Sequence, residues 1–137
     1  MGLYLCIFAG EEEVDGVEVG PYTDFDKFRD CVVRELEGGI AGSKFPTLIL
    51  HSDCDGEWSP SESDKLEREL MEIGDEFRQQ RPIHIGSDWQ KRVMNSSGVE
   101  IGNLYDCFFD VDGEPLLERL IGLARLSKNR NLPILFQ

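Results

Sequence analysis

Basic residues are scarce in this chain, the cysteines are unpaired in sequence, and no long apolar run exists. Each shortage closes a class of function. Lys and Arg number 14 against 27 Asp and Glu, leaving a net charge of −13. A surface so acidic repels nucleic acid and anionic membrane. No apolar stretch approaches the roughly 20 residues of a membrane span. The opening Met1-Gly2-Leu3-Tyr4-Leu5-Cys6 has no basic segment and soon meets Glu11-Glu12-Glu13, so it reads as a strand and not as a signal peptide. Gly2 would suit myristoylation only with Ser or Thr at position 6, where Cys6 stands. A cytoplasmic protein is expected.

Cys6, Cys31, Cys54 and Cys107 form no Cys-x-x-Cys pair, and His51 and His84 add no zinc-like spacing. Reduced, mostly buried thiols are expected, with Cys54, in a polar turn near His51, the candidate for a reactive one. A Gly-rich phosphate loop, a Gly-x-Ser-x-Gly elbow and a His-Glu-x-x-His helix are all missing, and nothing calls for a cofactor. The expectation is a protein that is not an enzyme. A small hydrolase using His51 with nearby acids is the alternative.

What is present suits a folded domain. Hydrophobic residues make up 40% of 137 positions, enough for a core, with no linker or low-complexity tract to divide residues 1–137. Leu3–Phe8 predicts a strand, with Val17–Val19 pairing back after an acidic turn. Thr23 is placed to cap a helix whose Phe25, Phe28, Val32 and Leu36 share one face, and Gly38-Gly39 stops it. Phe45–His51 carries the strongest strand signal. Ser59-Pro60-Ser61-Glu62 has capping-box spacing with Pro at the first helical position, and Leu66, Leu70, Ile73 and Phe77 follow as a buried stripe ending by Arg81. A shorter helix is expected from Ser87 to about Asn95. A strand is expected over Leu104–Phe109, then a helix from Pro115 to about Lys128, and a last strand over Leu132–Phe136 in which Pro133 marks an edge or a start. The order β-β-α-β-α-α-β-α-β predicts an α/β or α+β fold: a mixed sheet of four to five strands with about four helices packed on it.

One motif occurs twice. Asp53-Cys54-Asp55-Gly56-Glu57 and Asp110-Val111-Asp112-Gly113-Glu114 share the core Asp-x-Asp-Gly-Glu, each ahead of a predicted helix. Capping accounts for part of this, because an acid before a helix satisfies free N–H groups and suits the dipole. The surplus carboxylates leave two further uses. Asp53, Asp55, Asp110 and Asp112 could together hold calcium or magnesium, although a helix-loop-helix calcium loop needs Gly at its sixth position and an acid at its twelfth, where the first copy has Trp58 and Asp64 and the second Pro115 and Ile121. Alternatively, Asp53, Asp55, Glu57, Asp110, Asp112 and Glu114 form one acidic rim that docks a basic partner. Trp58 is then either its aromatic anchor or a core residue.

The segments "DFDKFRDCVVRELEGG", "FPTLILHSDCDGEWSP", "NLYDCFFDVDGEPLLERL" and "NLPILFQ" together resemble the bacterial immunity protein 70 family, over about half the chain. The resemblance implies an immunity protein of a polymorphic toxin system, which neutralises a cognate toxin domain by binding and has no chemistry of its own. Charge complementarity then points to a basic toxin domain, nucleases being one such class.

Overall fold

A computed structural model of the chain describes residues 2–52 and 55–137, so Asp53 and Cys54 lie outside the described residues. The fold is α+β. Strands β1 (Leu3–Ala9) and β2 (Glu12–Gly20) form an antiparallel hairpin turning at Gly10, whose φ of 67° suits a residue without a Cβ. Leu3, Leu5 and Ile7 alternate onto the core side with Val17 and Val19. Helix α1 (Tyr22–Leu36) follows at once. It starts earlier than Thr23 predicts, because the Pro21 carbonyl already accepts from the amides of Asp24 and Phe25. Pro21, with φ −54° and ψ 144°, both ends the strand and opens the helix.

The two strand expectations at 45–51 and 104–109 are overturned. Pro46–Ile49 is a single helical turn, α2, whose exposed backbone groups are met by distant side chains. Glu69 accepts from the amides of Thr47 and Leu48, and Glu37 accepts from Gly42, Lys44 and Phe45. Arg29 donates to the carbonyls of Leu48, Ile49 and His51, and the Trp58 indole donates to that of Thr47. With those partners in place no neighbouring strand is needed. Leu104–Cys107 is a 3₁₀ turn, held by the Asn103 side chain accepting from the Asp106 amide and the Asp106 carboxylate accepting from the Gly102 amide.

Helix α3 (Pro60–Phe77) begins with the expected capping box: the Ser59 hydroxyl accepts from the Glu62 amide while the Glu62 carboxylate accepts from the Ser59 amide. Its predicted stripe of Leu66, Leu70, Ile73 and Phe77 is buried. Helix α4 (Asp88–Ser97) ends at left-handed Gly98. Helix α5 (Leu116–Arg130) packs along α3 and the sheet, with Ser63 and Ser127 hydrogen-bonded in the interior at 2.8 Å.

A two-residue strand that the sequence does not announce, β3 (Glu57–Trp58), pairs with β4 (Ile134–Phe136), which starts directly after Pro133. The order is β2-β1-β4-β3, so the described residues form four strands, within the expected four to five, and every pairing among them is antiparallel where a mixed sheet was expected.

Candidate functional site

The second acidic turn is built around Asp110, which is 2% exposed. One carboxylate oxygen accepts from the amides of Asp112 (2.9 Å) and Glu114 (3.0 Å). The other lies 3.5 Å from the Arg119 guanidinium. Asp110 is therefore an internal brace and is not available to a partner, which corrects its place in the predicted rim. Asp112 and Glu114 are exposed. Left-handed Gly113 lets the loop pass beneath α4, where an added Cβ would come within 2.7 Å of Ser97.

At the first turn, Asp55 and Glu57 are exposed and Gly56 is left-handed. Trp58 takes the second of its two expected roles: it is 1% exposed, packed edge-on to Phe136, and not presented as an anchor. His51 holds this turn to the sheet end. Its two ring nitrogens each lie 2.8 Å from a carbonyl oxygen, those of Ser52 and Glu57, and its ring stacks on Phe136. Both nitrogens are thus met by backbone carbonyls, and among the described residues His51 lines none of the principal clefts.

The two turns do not adjoin. The first leads into β3, at one edge of the sheet, while the second hangs on β2 at the other edge through the Val111 amide and the Glu18 carbonyl. Strands β1 and β4 lie between, a separation of roughly 14 Å at ~4.8 Å per strand. Antiparallel pairing offers no common edge where strand-to-helix loops would gather. The single acidic rim is thus corrected to two flanks, with Asp55 on one and Asp110 and Asp112 on the other; the fourth proposed ion ligand, Asp53, lies outside the described residues. Among the described residues no group of three or more His, Cys, Asp or Glu is placed to hold a metal.

Between these flanks lies a sheet face on which, among the described residues, no helix packs. Residues paired across the register point the same way, which puts Tyr4 with Glu18, Phe8 with Glu13, and Cys6 with Gly16 and Leu135. Leu135 pairs in turn with Glu57. Tyr4, Phe8 and Leu135 are half-buried, and the three glutamates are exposed. The Tyr4 hydroxyl donates to the Glu13 carboxylate at 2.5 Å, and its ring covers Gly16, where an added Cβ would lie 2.0 Å from the hydroxyl oxygen. That hydrogen bond, helped by burial, pushes the Tyr4 phenol up to about 12. These residues were missed in sequence. Their signal was the alternation of Tyr4 and Phe8 with Leu3, Leu5 and Ile7.

Other sites are less suited to a ligand. Cys6, Cys31 and Cys107 are buried free thiols, and burial pushes each up, Cys31 to about 11, so none is an activated nucleophile. A groove between α3 and α5 holds Arg78, Arg119 and Arg125, but these are paired with Asp75, Asp110 and Glu67.

No curated protein and no solved structure matches the chain. A protein-family model described as Immunity protein 70 matches residues 3–136, nearly every position. The resemblance carried by four scattered segments thus extends along the whole fold, and the chain belongs to the Immunity protein 70 family.

Proposed function

We propose that this chain is the cytoplasmic immunity partner of one toxin domain, which it neutralises by binding and without catalysis of its own. The observation that carries the reading is the family match over residues 3–136. The charge of −13 supports a basic partner, because opposite charge speeds encounter and orients docking. Nuclease domains are one such class: their substrate is a polyanion, and an acidic protein can cover the same positive surface. Asp55, Glu57, Asp112 and Glu114 are the exposed acids of the two turns and belong to the proposed binding surface. Nucleic acid itself is not the expected partner, and no helix among the described residues is long and apolar enough to cross a membrane.

Co-expression with the toxin domain encoded beside this chain tests the proposal. Growth should be restored by the chain, and a stable complex should be recovered from purified components. A chain that neither protects nor binds would refute it.

A further inference from the structure

Resting on that toxin-binding reading, we propose that the open face of the sheet is the docking surface, and that the cleft between Tyr4, Glu18 and Val111 receives a lysine or arginine side chain of the basic partner.

Three observations carry this. First, the face has the make-up of an interface: an apolar centre of Tyr4, Phe8 and Leu135 with Glu13, Glu18 and Glu57 around it. Tyrosine at the centre of a patch ringed by charge is a favoured anchor. Second, the charge here is uncompensated. None of the four strands contains Lys or Arg, and of the seven acids in residues 1–26 Asp15, Asp24 and Asp26 meet a cation, all three from outside that segment, while Glu11, Glu12, Glu13 and Glu18 make no salt bridge among the described residues. Glu13, Glu18 and Glu57 make no salt bridge among the described residues, whereas Asp24, Asp26, Asp64, Glu67 and Asp75 on α1 and α3 each have a cation from the chain itself. Third, a cleft of about 370 Å³ opens at one end of the face. Tyr4 and Val111 wall it, Gly2 and Gly20 border it, and among the described residues Glu18 is the one charged residue of its lining. An aliphatic stem along Tyr4 with its cationic head at Glu18 would combine ring and carboxylate attraction.

The surface is also prepared in advance. Tyr4 is fixed by Glu13 and by its seat over Gly16, so little side-chain freedom is lost on binding. A second copy of the chain is a poor occupant, since it would bring the same acids face to face.

The test compares Glu18→Lys and Glu18→Gln with Glu72→Lys, an exposed site on α3, in affinity for the toxin domain encoded beside the chain. Circular dichroism and melting first establish that each variant folds. Glu18→Lys should weaken binding by at least about tenfold and Glu18→Gln by about threefold, with Glu72→Lys within about twofold of the parent. Parental affinity for Glu18→Lys, with loss in Glu72→Lys, would overturn the assignment of the face while leaving the toxin-binding reading intact. If the parent chain itself does not bind the domain, that reading fails, and a second arm judges the face. A short arginine-rich peptide is titrated into the isotope-labelled chain. Amide shifts gathered at Tyr4, Glu18 and Val111 support the cleft as a cation site. Shifts gathered on α3, or spread evenly over the acids, overturn it.

Discussion

Arg29 offers the sharpest test of how the 45–51 segment is held. Its guanidinium donates to the His51 carbonyl at 2.7 Å and to those of Leu48 and Ile49 at 3.3 and 3.4 Å, from a side chain 13% exposed. It also sits 4.9 Å from the Phe25 ring centre. A short charge-assisted bond left unmade costs about 1.5–3 kcal/mol. The cation–ring contact adds about 0.5–1 kcal/mol. Arg29→Ala should therefore destabilise by about 2–4 kcal/mol. Arg29→Lys keeps the charge but can reach only one of the carbonyls, and should lose about 1–2 kcal/mol. Unfolding entropy for a chain of this length makes 1 kcal/mol worth about 3–4 °C, so the alanine variant should melt about 6–16 °C lower. Urea unfolding and thermal melts would measure both variants, and amide exchange should quicken over residues 46–52 in particular. An Arg29→Ala protein within about 0.5 kcal/mol of the parent would refute the claim that side chains replace a neighbouring strand here.

Further outcomes follow from other contacts. Hydrogen bonding to Lys128, then to Arg125, holds the Glu67 carboxyl below its ordinary value, so its stabilising contribution is present above the unfolded-state value and is lost as pH falls through the folded one. Glu67→Gln should cost about 1 kcal/mol at neutral pH, and the gap to the parent should close in urea titrations carried out in acid. Trp58→Phe should lose about 1 kcal/mol with its bond to the Thr47 carbonyl, and Trp58→Ala about 3–5 kcal/mol, both measured by denaturant unfolding. Gly113→Ala should cost about 1–3 kcal/mol, because φ is 84° and the Cβ meets Ser97; a neutral result in thermal melts would contradict the loop geometry. In ultraviolet phenolate titration one of the three tyrosines should ionise near 12, and Glu13→Gln should bring it down.

What could be read from sequence was what neighbours in sequence decide. The capping box at Ser59 and Glu62, the stripe from Leu66 to Phe77 and the hairpin before Pro21 all rest on contacts within a few residues, and all are present. The α2 turn was hidden because Glu69 and Arg29, which satisfy its backbone, lie on other helices. Strand β3 was hidden because a two-residue strand exists only through its pairing with β4 at the far end of the chain. The acidic turns were legible as helix-leading turns, and Asp110 does brace one. Their placement at opposite edges depended on strand order, which the local pattern does not carry. The open face was latent in the alternation of β1, but only the register brings Glu13, Glu18 and Glu57 around Tyr4 and Leu135.

The most direct test is the affinity between this chain and its neighbouring toxin domain, measured as a function of salt. Docking through unneutralised carboxylates predicts tight binding at low ionic strength that weakens by at least about tenfold between ~50 and ~500 mM salt, as screening shortens the reach of those charges. Tight binding that does not change with salt would contradict an electrostatic interface, and absence of binding at low salt would contradict the toxin-neutralising role itself.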